Sequence, residues 1–157
     1  MSTGDPCVAA VRRLQFCAGH RVYKHETKCA HLHGHNYVVF LHAQVLPEAR
    51  QQRGGVGLDA LGRVIDFSVL RERFAPWIEA NWDHGFILWE KDDEAINALS
   101  HLTEQKLFLL SANPTAENMA IHLLKTVAPA VLEGSGVALT KVVLWETENC
   151  FVEVGDV

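Results

Sequence analysis

Hydrophobic and polar positions alternate, then change period, along the 157-residue chain. Val8–Val22 mixes β-branched and aromatic residues with polar ones and predicts a strand. Asn36–Leu46 (NYVVFLHAQVL) predicts a second. Gly54, Gly55 and Gly57 mark a loop. Val64-Ile65-Asp66-Phe67 then leads into a helix, where Leu70, Phe74, Trp77 and Ile78 form an apolar stripe at helical spacing. Gly85–Trp89 reads as a short strand. Glu90–Gln105 is polar and reads as a loop with a helical turn. Asn113 suits the N-cap of a second long helix and Pro114 its first position, where a missing N–H costs nothing. Ala116, Met119, Ala120, Leu123, Leu124 and Val127 keep the helical period until Gly134 and Gly136. Val137–Trp145 is strongly β-prone, and Phe151–Val154 reads as a last short strand. The order predicts an α+β architecture: antiparallel strands with helices covering one face.

The size favours one domain over residues 1–157, large enough to bury a core without disulfide support. With 48% hydrophobic and 21% charged residues, the composition is that of a soluble globular chain. A net charge of −5 and no basic cluster argue against a nucleic-acid surface. No apolar run approaches the roughly 20 residues that span a bilayer. Met1–Ala10 lacks the pattern of a secretory signal. Cys7, Cys17, Cys29 and Cys150 form no CxxC pair and read as reduced thiols of a cytoplasmic protein.

The chemistry concentrates in Cys29-Ala30-His31-Leu32-His33-Gly34-His35. Two imidazoles two residues apart on a strand share a face, with Cα atoms roughly 6.6–6.8 Å apart. Both can converge on one zinc ion, which in a catalytic site keeps one position open. The alternative is a pair of polar residues on the wet face of a strand. His20, in Phe16-Cys17-Ala18-Gly19-His20, adds a third imidazole if the first two strands pair antiparallel. His31 shares the parity of His33 and His35, so spacing leaves it open as well. Cys29 is either an inert small hydrophobe or a thiol activated by this cluster. Asp83-His84 is either an ordinary turn or a carboxylate orienting a proton-shuttling imidazole. Glu117 falls in the first turn of a helix, where the dipole alone would favour it. Glu146 shares strand parity with Val142 and Leu144. It is either a solvated strand end or an anchor accepting paired N–H groups from a flat heterocycle.

Six segments in order, FCAGHR, CAHLHGHNY, VIDFSVL, WDHGF, NPTAEN and LWETEN, resemble the 6-pyruvoyl-tetrahydropterin synthase and 6-carboxytetrahydropterin synthase family across nearly the whole chain. The resemblance implies a tunnelling fold, with a four-stranded antiparallel sheet and two helices on one face. It implies a zinc site at His20, His33 and His35, leaving His31 outside. Cys29 corresponds to a catalytic base, Asp83 and His84 to a proton-transfer pair, and Glu146 to the pterin anchor. The resemblance also implies that Thr115 and Glu117 line the same pocket. It implies a pterin triphosphate as substrate and a homo-oligomer, commonly a hexamer built from two trimers, with active sites at subunit interfaces. A subgroup with glutamate at or near the cysteine position fits less well, because Glu26 does not displace Cys29. The chain looks most like the bacterial carboxy-forming enzymes, which make 6-carboxytetrahydropterin on the way to queuosine. A pyruvoyl-forming enzyme and a non-catalytic zinc- or pterin-binding protein are the other readings. The stretch between Trp89 and Leu110 is longer than in the most compact bacterial members, as a surface insertion or a change to the oligomer would make it.

Overall fold

A computed structural model describes residues 4–155. Strand β1 (Ala10–His20) pairs antiparallel with β2 (His33–Val45), which pairs with β5 (Val137–Thr147), which pairs with β6 (Cys150–Gly155). On the other side of β1 lie β3 (Gly85–Trp89) and β4 (Leu107–Leu110), both in parallel pairings. The result is one six-stranded mixed sheet in the order β4-β3-β1-β2-β5-β6.

The expected four-stranded antiparallel sheet is therefore only its β1-β2-β5-β6 part. The correction comes from the stretch after β3, where the helical turn expected within Glu90–Gln105 is a full helix followed by another strand. Asp92 caps helix α3 (Asp93–Ser100) by accepting from the Ala95 N–H, and the chain then returns as β4. A strand–helix–strand crossover makes its two strands parallel. The helices likewise exceed the expected two. Pro47–Gln52 forms α1, and α2 spans Phe67–Asn81. The long C-terminal helix is α4 (Ala116–His122), a π turn at Leu123–Val127, and α5 (Ala128–Val131).

Side-chain alternation explains where the core sits. On β2, Tyr37, Val39, Leu41 and Ala43 are buried and the residues between them are half-buried. They pack with Leu70, Phe74 and Ile78 of α2 and with Met119, Ala120, Leu123 and Val127. Truncating such a residue, Phe74 to Ala for example, costs about 3–5 kcal/mol. None of the described helices is long and apolar enough to cross a membrane.

Candidate active site

The β1–β2 register brings the three imidazoles together. His20 lies directly opposite His33, and Ala18 opposite His35, so His20 meets both histidines on the face that continues into the core. The ring centroids lie 4.6 Å (His20–His33), 4.9 Å (His33–His35) and 5.1 Å (His20–His35) apart. One ligand nitrogen from each ring lies within 4.8 Å of the others.

Two backbone carbonyls set the tautomers. His20 Nδ1 donates to the Pro114 carbonyl at 2.7 Å, and His33 Nδ1 donates to the His31 carbonyl at 2.6 Å. Each leaves an Nε2 lone pair for another purpose. His31 thus serves the cluster through its backbone, and its ring is outside the group that could hold a metal. Burial pushes His20 down to about 4, against the opposing Pro114 hydrogen bond, with His33 and His35 adding to the depression. Burial also lowers His35, against the opposing charge of Glu146. Neutral imidazoles are what a metal requires.

The Nε2 atoms of His20 and His35 are buried without a hydrogen-bond partner. Buried polar atoms seldom stay unpaired, and two converging imidazole nitrogens are open to a shared ligand. Three imidazole nitrogens suit zinc and similar transition metals better than the oxygen-seeking magnesium or calcium. The residues fit a metal ion on these grounds.

Glu146, near the end of β5, places Oε1 3.5 Å from His35 Nε2. Tyr37 lies beneath, with its ring centroid 5.5 Å from that of His35 and its hydroxyl buried and unpartnered. Burial first, and then the Glu146 charge, raises its pKa. The strand parity that groups His33 with His35 also selects Tyr37, a signal not used in reading the sequence.

Asp83 and His84 occupy the turn between α2 and β3. Asp83 Oδ2 lies 2.9 Å from His84 Nδ1, and Asp83 Oδ1 accepts the Cys17 N–H at 2.9 Å. The His84 N–H donates to the Cys17 carbonyl at 2.7 Å. His84 has a φ of 57°, left-handed backbone that costs a side-chain-bearing residue about 1–2 kcal/mol. Burial raises the Asp83 carboxyl, but the Cys17 N–H, His84 and the Lys106 charge outweigh it, and the net pKa is lowered.

His84 lines a cavity of about 430 Å³ together with Cys17, His33, His35, Phe86 and Gln105. Gly19 and Gly34, register partners on β1 and β2, help to form its wall. A Cβ on Gly19 would meet the Phe86 ring at 2.4 Å, so a side chain there would force that ring to shift.

The other expected residues stand apart from that cavity. Cys29 sits in a 3₁₀ turn (Lys28–Ala30), and its carbonyl accepts the Val22 N–H at 2.8 Å. It does not line the cavity, and neither do Thr115, Glu117 and Glu146. Thr115, not Asn113, is the N-cap of α4: its hydroxyl accepts the Asn118 N–H, and Glu117 is exposed in the first turn. Asn113 instead clasps the Tyr23 backbone, accepting its N–H and donating to its carbonyl. That clasp and the Pro114 carbonyl tie the start of α4 to the segment after His20. All four cysteines are free thiols.

The family model described as 6-pyruvoyl tetrahydropterin synthase matches residues 10–156. A protein of Rickettsia typhi named 6-carboxy-5,6,7,8-tetrahydropterin synthase is 40% identical, covering 94% of this chain and 99% of its own length. A protein of the same name from Aquifex aeolicus is 32% identical, covering 90% and 94%. The solved 6-pyruvoyl tetrahydropterin synthase of Caenorhabditis elegans shares the fold, with a TM-score of 0.58 at 24% identity and 97% of each chain covered. On the matched residues and the Rickettsia and Aquifex identities, this chain belongs to the 6-pyruvoyl tetrahydropterin synthase family.

Proposed function

We propose that this protein is a zinc-dependent carbon–carbon lyase. It converts 7,8-dihydroneopterin triphosphate and one water molecule into 6-carboxy-5,6,7,8-tetrahydropterin, releasing acetaldehyde and triphosphate, in queuosine biosynthesis. The observation that carries the reading is the group of His20, His33 and His35 with unpartnered buried nitrogens, set beside Glu146. The choice of the carboxy product leans on the names of the Rickettsia and Aquifex relatives.

His20, His33 and His35 hold the zinc, which supplies Lewis-acid polarisation of the substrate's side-chain oxygens. Glu146 offers two carboxylate oxygens to the paired N–H groups of the aminopyrimidinone edge. Asp83 accepts the Nδ1 proton of His84, which leaves His84 Nε2 as the atom that takes up and returns a proton. Cys29 is the base on the substrate side chain. Thr115 and Glu117 border the pterin pocket at the start of α4.

In this reading the active site is completed by a second copy of the chain. The proposed assembly is a hexamer of two trimers in the cytoplasm. The deciding experiment incubates zinc-loaded protein with 7,8-dihydroneopterin triphosphate and measures acetaldehyde against substrate consumed. Equimolar acetaldehyde with 6-carboxytetrahydropterin supports the reading. Accumulation of 6-pyruvoyl-tetrahydropterin without acetaldehyde assigns the pyruvoyl activity instead. Binding without turnover assigns a non-catalytic pterin-binding role.

A further inference from the structure

Lys106 lies in the segment between α3 and β4, 23 residues beyond Asp83 in sequence. Its ammonium donates to two backbone carbonyls, Glu79 in the last turns of α2 and Asp83 just past its end, both at 2.6 Å. Helix ends leave carbonyls unsatisfied and carry partial negative charge. The last turn of α2 holds no basic residue of its own, so Lys106 supplies the cation from outside. The stem of Lys106 crosses Gly85, where an added Cβ would lie 2.9 Å from Lys106 Cδ and 3.0 Å from Cγ. The Lys106 carbonyl accepts the Phe86 N–H at 3.0 Å, which fixes the base of the side chain to β3.

Both anchors flank His84. The carbonyl before it is held by Lys106, and the glycine after it gives the Lys106 stem its path. Between them His84 keeps its left-handed φ of 57°. A strained backbone of this kind persists only where its surroundings over-determine it.

The geometry points to Lys106 as a positioning residue for His84: by pinning the Glu79 and Asp83 carbonyls, it holds the turn that presents the imidazole to the cavity. This rests on the reading of Asp83 and His84 as the proton-transfer pair. It gives the stretch between Trp89 and Leu110 a role at the active site, through the lysine just before β4.

The test compares zinc-loaded wild type with Lys106→Met, Lys106→Arg, Gly85→Ala and His84→Ala. Two quantities are read: steady-state turnover of 7,8-dihydroneopterin triphosphate, and hydrogen exchange of the His84 amide, which donates to Cys17. Lys106→Met is expected to lower kcat roughly 10- to 100-fold with KM nearly unchanged, the cost of a catalytic group set about an ångström loose. The His84 amide should exchange about tenfold faster, as a locally opened turn does. Lys106→Arg keeps the charge and should restore most of both. Gly85→Ala keeps Lys106 but obstructs its stem, and should show the same pattern in milder form even if Lys106→Met does not fold. Wild-type kcat and wild-type exchange in Lys106→Met would overturn the proposal. So would a fall in kcat with the His84 amide unmoved, or, if Lys106→Met does not fold, wild-type values of both in Gly85→Ala. Full turnover in His84→Ala would instead overturn the proton-transfer reading, and amide exchange alone would then decide the clamp.

Discussion

His20 and His84 are the same side chain in opposite surroundings. His20 is 1% exposed, ends a paired strand, donates to a backbone carbonyl and is held neutral by burial. His84 is 78% exposed, sits on strained backbone and leans on a carboxylate. A metal ligand needs a fixed, unprotonated lone pair, which a sheet interior provides. A proton carrier needs access to its partner, and a turn held by outside clamps provides that. The sheet builds one half of the candidate site and the α2–β3 turn the other.

The sharpest way to separate the halves is to remove the chemistry while leaving the metal. Cys29→Ala should keep the fold and the zinc but lose roughly 10²–10⁴ in turnover, the usual contribution of a general base. Metal analysis alongside kinetics checks it, and near-normal turnover would make the thiol structural. His84→Gly should lose turnover on a similar scale with its melting temperature nearly unchanged. Relief of the left-handed backbone there offsets the lost contact to Asp83 and the flexibility that glycine adds.

The metal half should break with acid. His20 is lowered from 6.5 to about 4 on folding, so the unfolded chain takes up the proton first as pH falls. Its contribution to stability is whole above about pH 6.5 and drains away between 6.5 and 4. For metal-free protein the loss should reach roughly 3 kcal/mol. Denaturant titrations at pH 7.5 and 4.5 measure it, and equal midpoints would contradict the burial argument. A smaller effect belongs to the proposed pterin anchor. Glu146→Gln should weaken pterin binding by about 1–3 kcal/mol, because the amide sets one donor against an N–H. Calorimetry with a pterin reads the difference, and equal affinities would remove Glu146 from the site.

The cluster of His20, His33 and His35 was legible in the sequence because it is local. His33 and His35 share strand parity, and pairing with the preceding strand brings His20 opposite His33. The surrounding scaffold was less so. The acidic helix start at Asp92-Asp93-Glu94 was readable as an N-cap signal, but the four-residue strand Leu107–Leu110 is too short to carry a period, so nothing in the pattern marks β4 as a strand. Thr115 took the cap expected of Asn113 because Asn113 was needed at Tyr23, 90 residues away. Lys106 under the Asp83 carbonyl and Arg21 against the buried Asp92, 71 residues apart, are contacts between distant segments that no local pattern announces. The roles of Cys29, Asp83 and His84 came from the family resemblance, and of these three residues His84 alone lines the cavity.

The division between a metal half and a proton-transfer half is tested most directly by zinc content per chain in wild type, His33→Ala and His84→Ala, measured by elemental analysis after identical zinc loading and desalting. The account predicts one zinc in wild type, one in His84→Ala and close to none in His33→Ala. Full occupancy in His33→Ala, or loss of zinc in His84→Ala, would contradict it.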